Sequence, residues 1–224
     1  MAQLILVRHA QASFGSEHYD QLSPLGRQQA TWLGEYFSAR GLRFHRVVAG
    51  SLQRQQETAQ LMLSAMGQTQ APVQTLVGLN EYPADALYTS YTRGRDALAH
   101  QRADARDYWR TFRQAMLAWA GDALDAVPER WNDFGQRVRQ AVDLACGDCG
   151  RDDVVLVVSS GGAIGRLIAD TVGAPAATAI EFNLQFRNTG LCELISASAG
   201  LRLISYNAIP HLERSDRRHA ITFA

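Results

Sequence analysis

The 224 residues carry 22 basic and 22 acidic side chains, a formal net charge of zero, which argues against a polyanion such as a nucleic acid as the main partner. Hydrophobic residues make up 46% and charged residues 20%, the balance of a soluble globular chain long enough to bury a sizeable core in one large domain. All 22 basic residues are arginine, which excludes lysine Schiff-base chemistry and a Walker A phosphate loop.

The amino terminus has no charged-then-apolar leader, and no apolar run approaches the roughly 20 residues of a membrane helix. The expectation is a cytoplasmic protein with no membrane partner. Three cysteines, an odd number, do not suggest a disulfide framework and fit a reducing compartment.

The chain opens on Leu4-Ile5-Leu6-Val7, a short β-prone run that stops abruptly at Arg8-His9. Such a run reads as a buried strand of a mostly parallel sheet, and polar groups at its carboxyl end stand where open α/β sheets bind ligands. After a polar loop, Ser23 and Pro24 make a good cap and first turn for a helix that Gly41 stops. Arg46-Val47-Val48-Ala49 is a second strand, Leu52 to Met66 a second helix stopped by Gly67, and Val73 to Leu79 a third extended segment. Strand, helix, strand, helix, strand marks an α/β sheet with crossover helices.

Residues 80–130 break that rhythm with a mainly helical, arginine-rich insertion, read as a cap over about residues 82–130. Arg102, Arg106, Arg110 and Arg113 share one helical face, and Trp109, Phe112, Met116 and Trp119 form an apolar stripe beside it. Those arginines either greet an anionic substrate or simply pair with Asp104, Asp107 and similar neighbours; the pairing reading is the weightier. Trp131 to Cys146 reads as a helix, and Asp153 to Ser159 as the strongest strand. Ser160-Gly161-Gly162 then leads into a helix over Ala163 to Val172. Asn188-Thr189-Gly190 makes a turn before a closing hairpin of Leu191 to Ser196 and Leu201 to Tyr206, joined by Ala199-Gly200. With no repeats and no obvious linker, residues 1–224 read as a single domain.

Several strand ends thus offer groups to one anion. Arg8 and Arg54 supply planar forks that match phosphate oxygens. Ser160-Gly161-Gly162 offers backbone N–H groups at a helix start. His9 can attack phosphorus and Glu81 can protonate a leaving oxygen. Each piece alone also has a purely structural reading.

The stretches Leu6-Val7-Arg8-His9-Ala10-Gln11 and Asp20-Gln21-Leu22-Ser23-Pro24-Leu25-Gly26-Arg27-Gln28-Gln29-Ala30 resemble the opening of the histidine phosphatase superfamily, with its phosphoglycerate mutase-like fold. Ser51-Leu52-Gln53-Arg54-Gln55-Gln56-Glu57-Thr58-Ala59 resembles that family's S-x-x-x-R-x-x-x-T-A segment. Leu79-Asn80-Glu81 resembles its L-x-E, and Asn207 to His211-Leu212 its late N-x-x-x-H-L. The matches run in order along nearly the whole chain.

The resemblance implies a three-layer α/β/α fold and a metal-independent phosphomonoesterase acting on a small phosphorylated metabolite. In that reading His9 is the nucleophile, Arg8 and Arg54 clamp the phosphoryl oxygens, and Glu81 is the proton donor. Gln11, Ser51, Ser160, Gly161 and His211 line the substrate side, and no metal or cofactor takes part. Two other readings stay open: a mutase that returns the phosphoryl group to the same metabolite, and a phosphoester-binding protein with weakened catalysis. Oligomeric state is not readable.

Two departures from the family pattern bear on activity. Ala10 replaces a glycine. Ser160 stands where the family usually has a second histidine, in S-H-G-G. Either Ser160 leaves a slow enzyme, or His211 arrives from the carboxyl-terminal segment to supply an imidazole; a supporting role for His211 is the favoured alternative. Cys146-Gly147-Asp148-Cys149 has C-x-x-C spacing, but it ends a helix rather than opening one, and only Cys192 remains as a further thiol. His18, His45, His100 and His219 show no metal spacing. No metal site is expected.

Overall fold

The structure is a computed structural model that describes residues 2–13, 20–93, 105–198 and 200–223; His18, His100, Arg102, Asp104 and Ala199 lie outside the described residues. Strands β1 (Ala2–Arg8), β2 (Arg46–Ala49), β3 (Val73–Thr75), β4 (Val154–Ser159), β5 (Leu191–Ala197) and β6 (Gly200–Ala208) form one sheet in the order β3-β2-β4-β1-β5-β6. The first four run parallel, and β5 and β6 are added antiparallel at the β1 edge. β4 inserts between β2 and β1, so the carboxyl ends of those three strands lie side by side. Arg8 is in register with Ser159 across the β1–β4 ladder.

The alternation along β1 explains the layers. Leu4 and Leu6 face one side of the sheet, while Ile5 and Val7 face the other. On the Ile5 side, Leu33 and Phe37 of α1 (Pro24–Ala39) and Met62 and Leu63 of α2 (Gln53–Ala65) close the core. On the Leu4 side lie Phe134 and Val138 of the helix Trp131–Cys146, and Ile164 and Ile168 of the helix Gly161–Thr171. A sheet buried on both faces by helices is the three-layer α/β/α arrangement.

The helices on the Leu4 side are α3 (Ala84–Thr92), α4 (Ala105–Ala120), α5 (Trp131–Cys146), α6 (Gly161–Thr171) and α7 (Ala176–Gln185). Ser23 caps α1 as its residue type requires, its Oγ accepting from Gly26 N at 2.9 Å, with Pro24 in the first turn. Gly41 and Gly67, just past α1 and α2, take left-handed φ values of 65° and 71°. In α4, Phe112, Met116 and Trp119 are buried, while Arg110 pairs with Asp107 at 2.6 Å and Arg113 with Glu181 at 2.5 Å. Arg106, Arg110 and Arg113 of α4 are exposed, and the last two are paired.

Three elements differ from the sequence reading. The extended segment expected over Val73 to Leu79 is a strand only to Thr75, and Val77–Leu79 is a 3₁₀ turn. The turn is pinned to α5: Arg137 Nη1 donates to Gly78 O at 2.9 Å and Asn80 O at 2.8 Å. A Cβ on Gly78 would stand 2.8 Å from Arg137 O and 2.9 Å from Ala141 Cβ, so the missing side chain is what lets the turn approach. Helix α6 starts at Gly161 rather than Ala163, with Ser160 as its N-cap residue. Helix α7 had no sequence assignment; it buries only Ala179, Ile180 and Asn183, too few apolar residues to print a periodic signal.

Candidate active site

The carboxyl ends of β1, β2 and β4 bring Arg8, His9, Arg54, Ser160 and Gly161 together, and the turn after β3 adds Glu81. His9 is 5% exposed. Its Nδ1 lies 2.8 Å from Ala10 O; a carbonyl only accepts, so Nδ1 carries the proton and Nε2 keeps its lone pair. Arg54 Nε donates to that Nε2 at 3.1 Å. Burial and the charges of Arg54 and Arg8 push the imidazole well below its usual pKa, against a smaller upward pull from the Ala10 carbonyl. His9 is thus a neutral imidazole held by one ring nitrogen, with the other aimed at a cation.

Arg54 is the second residue of α2. Its Nη1 pairs with Asp20 Oδ1 at 2.5 Å, and Asp20 Oδ2 accepts from Gln53 N at 2.8 Å. Asp20 therefore ties the guanidinium to the amino end of its own helix. Thr58 links the same helix to the first strand, accepting from Ala10 N at 3.0 Å and donating to Arg54 O at 2.7 Å. Arg8 is buried at 5% exposure and donates from Nη1 to Phe186 O. A Cβ on Gly161 would stand 3.4 Å from Arg8 Nε and 2.8 Å from Asn183 Oδ1.

Glu81 does not face a free helix end. Gly162 N donates to its Oε2 at 2.9 Å and Tyr82 N to its Oε1 at 3.2 Å. The amide expected to meet a phosphate is therefore engaged by the carboxylate. Burial pushes the Glu81 carboxyl up, opposed by those N–H groups and by Arg54 and Arg8. A Cβ on Gly162 would run into Tyr82 Cε1 and Glu81 Oε1. Tyr82 carries the site into the core: Asn183 Nδ2 donates to its hydroxyl at 2.7 Å, and its ring packs 5.3 Å from Trp119 and 5.7 Å from Phe134, centroid to centroid.

The other sequence candidates spread outward. Ser160 is fully buried, and its Oγ accepts from Gln55 Nε2 at 2.8 Å. Ser51 is exposed; its Oγ accepts from Asn80 Nδ2 at 2.8 Å and its N donates to Asn80 Oδ1 at 2.7 Å. Gln11 accepts from Ser23 Oγ at 2.7 Å, and its own N donates to Gln29 Oε1 at 2.8 Å.

His211 is brought to the far side of the His9 backbone. Thr189 Oγ1 donates to Asn188 O at 2.6 Å and so accepts from His211 Nε2 at 2.8 Å. Thr189 N donates to Arg8 O at 3.1 Å, and Asn188 Nδ2 to His9 O at 3.3 Å. Burial, then the charge of Arg217, push His211 down to about 3. His211 is a neutral group bonded to the Thr189 hydroxyl, behind the strand end.

Asp20, Gln55, Thr58, Tyr82 and Asn183 were not singled out from sequence. Asp20, Gln55 and Thr58 lie within the family-like stretches, where position alone hinted at them. Nothing local ties Gln55, Tyr82 and Asn183 to their partners Ser160, Gly162 and Tyr82, which are 105, 80 and 101 residues away.

Buried arginines flanking a neutral imidazole, with a protonatable carboxyl on a glycine-rich helix start, make an anion site suited to phosphoryl chemistry. The histidine phosphatase superfamily (branch 1) matches residues 4–209, and the chain belongs to that family. It is 27% identical over 197 residues, 85% of this chain and 83% of the other, to a probable phosphoglycerate mutase, GpmB, of Erwinia tasmaniensis. It is 34% identical over 85 residues to the broad-specificity phosphatase YOR283W of Saccharomyces cerevisiae, a match spanning 35% of this chain and 37% of the yeast protein. The fold superposes with a TM-score of 0.67 on a phosphoserine phosphatase variant from Entamoeba histolytica in complex with phosphoserine, at 20% identity, covering 95% of this chain and all of that one.

Proposed function

We propose that this protein is a metal-independent phosphomonoesterase working through a phosphohistidine on His9. The observation that carries the reading is the fixed tautomer of His9, with Nδ1–H on the Ala10 carbonyl and the Nε2 lone pair opposite Arg54. Nε2 attacks phosphorus in line with the ester oxygen, exchanging its contact with Arg54 for the phosphoryl group. Arg8 and Arg54 neutralise the charge that spreads over the phosphoryl oxygens in the transition state. Glu81, whose carboxyl burial pushes up, gives its proton to the departing oxygen; as carboxylate it then takes a proton from the water that hydrolyses the N–P bond. No step needs a metal ion, because the arginines supply the positive charge.

The small size of the expected substrate rests on the family alone, and phosphoserine is bound by the Entamoeba protein named above. A second reading, phosphoryl transfer within one metabolite, is favoured by the long match to a probable phosphoglycerate mutase. Incubation with a panel of phosphomonoesters that includes 3-phosphoglycerate separates the readings. The expected result is inorganic phosphate from several esters. Formation of 2-phosphoglycerate without phosphate would assign a mutase, and tight binding without turnover would leave a binding protein.

A further inference from the structure

The amino-terminal ends of β2 and β4 gather three groups that the phosphoryl chemistry does not use. His45 immediately precedes β2, Asp153 immediately precedes β4, and Cys149 lies in the connection from α5 to β4. The ligand atoms of His45, Cys149 and Asp153 all lie within 4.8 Å of one another. We propose that these three residues form a zinc-binding site that ties the α5–β4 connection to the leading ends of β2 and β4.

The donor set selects the metal. A nitrogen, a thiolate and a carboxylate suit zinc, whereas magnesium and calcium want oxygen ligands throughout. Zinc bonds of about 2.0–2.3 Å in a tetrahedron hold ligand atoms about 3.3–3.8 Å apart, so the donors need to close by about 1 Å. His45 Nδ1 and Asp153 Oδ1 already stand 3.4 Å apart. The His45 side chain is 46% exposed and has room to rotate.

The frame around the donors is fixed by backbone. His45 N donates to Val154 O at 2.9 Å, and Gln3 N to Asp153 O at 2.9 Å. Gly150 N donates to Asp153 Oδ2 at 2.6 Å, which turns Oδ1 toward His45 and orients the carboxylate from its other oxygen. Asp153 also lines an open groove with Gln3, Arg151 and Glu193, and water would complete the tetrahedron of a three-ligand zinc site. Arg46 is a nearby cation, but its Nη1 is spent on the carbonyls of Ala145 at 2.8 Å and Gly147 at 2.7 Å. The Cys149 thiol donates to Ala145 O at 3.8 Å, and Zn²⁺ would displace that proton: the S–H bond breaks, the S–Zn bond forms, and H⁺ leaves to solvent.

The site stands apart from His9 by the length of β4, six residues or about 20 Å. It therefore has no part in the proposed phosphoryl transfer. Sequence spacing did not reveal it, because His45 lies about a hundred residues from Cys149 and Asp153 and only one cysteine of the C-x-x-C pair takes part.

The test is titration of the tag-free, reduced protein with Co²⁺ as a spectroscopic stand-in, followed by displacement with Zn²⁺. One equivalent should give tetrahedral d–d bands and a thiolate-to-cobalt charge-transfer band, both lost on adding Zn²⁺. Cys149→Ser should abolish the charge-transfer band, His45→Gln should weaken binding by roughly tenfold or more, and Cys146→Ser should leave both unchanged. No binding, binding without a thiolate band, or a band that follows Cys146 instead of Cys149 would overturn the site and leave His45–Asp153 as an ordinary ion pair. Circular dichroism of each variant separates loss of ligand from loss of fold.

Discussion

His9 and Glu81 respond to burial in opposite directions: it pushes the imidazole down and the carboxyl up. Burial thus favours a nucleophile without a proton and a proton donor that holds one, the opposed shifts that the two roles call for. As pH rises through the raised Glu81 pKa the proton is lost, so turnover of a sugar phosphate should fall on the alkaline side. Glu81→Gln should remove that limb and slow an alkyl phosphate by about a hundredfold to ten-thousandfold, while nitrophenyl phosphate, whose leaving group needs no proton, loses little. Rate–pH profiles on both esters check this; equal losses on the two would assign Glu81 a structural role. Ser160 is the other side chain that decides activity. Its Oγ meets the Gln55 amide in a fully buried position, so the space of the usual imidazole is already filled. Ser160→His should cost about 1–3 kcal/mol through overpacking and gain no turnover, whereas adding Gln55→Ala should recover stability and raise the rate. A Ser160→His protein as stable as wild type in urea would contradict this packing.

Helix α6 holds the site's geometry as a unit, because its first residues have no side chains. Gly161 admits Arg8 and Asn183, and Gly162 admits Tyr82 and the Glu81 carboxylate that its own N–H binds. Gly162→Ala should displace Glu81 and Tyr82 together, destabilise by about 1–3 kcal/mol and reproduce the alkyl-ester defect of Glu81→Gln. Thermal melts and the two-ester assay read both effects, and a variant with normal turnover would show that Glu81 is held from elsewhere. Much at this level was legible: β2 and α5 have the bounds the pattern set, and Ser23-Pro24 opened α1 as capping chemistry demands. What was not legible depends on contacts across layers. The 3₁₀ turn over Val77–Leu79 exists because Arg137, some sixty residues on, collects its carbonyls. The Gly162 amide read as a phosphate donor because nothing local tells that Glu81 will reach it.

The sheet order puts Arg8, His9, Ser160 and Arg54 at one end of three neighbouring strands, and the same parallel packing puts His45 and Asp153 at the other. The motifs foretold the first gathering because their residues adjoin strand ends in sequence; they were silent on the second, whose members share no motif. Burial across the whole fold also sets its acid stability. His211 titrates at about 3 when folded against about 6.5 when unfolded. Below pH 6.5 the unfolded chain takes up a proton that the folded one refuses, so stability should fall as pH drops from about 6.5 toward about 3. His9, also pushed down, adds to the loss in the same direction. Urea midpoints should drop less steeply over that range in His211→Gln than in wild type; identical slopes would show that His211 is not the titrating group. The central claim is that the phosphoryl group passes through His9, and rapid acid-free quenching during turnover of ³²P-labelled substrate tests it most directly. The expected result is one labelled residue, His9, with alkali-stable and acid-labile phosphate, absent in a folded and inactive His9→Ala. Undiminished turnover in His9→Ala, or label on any other residue, would contradict it.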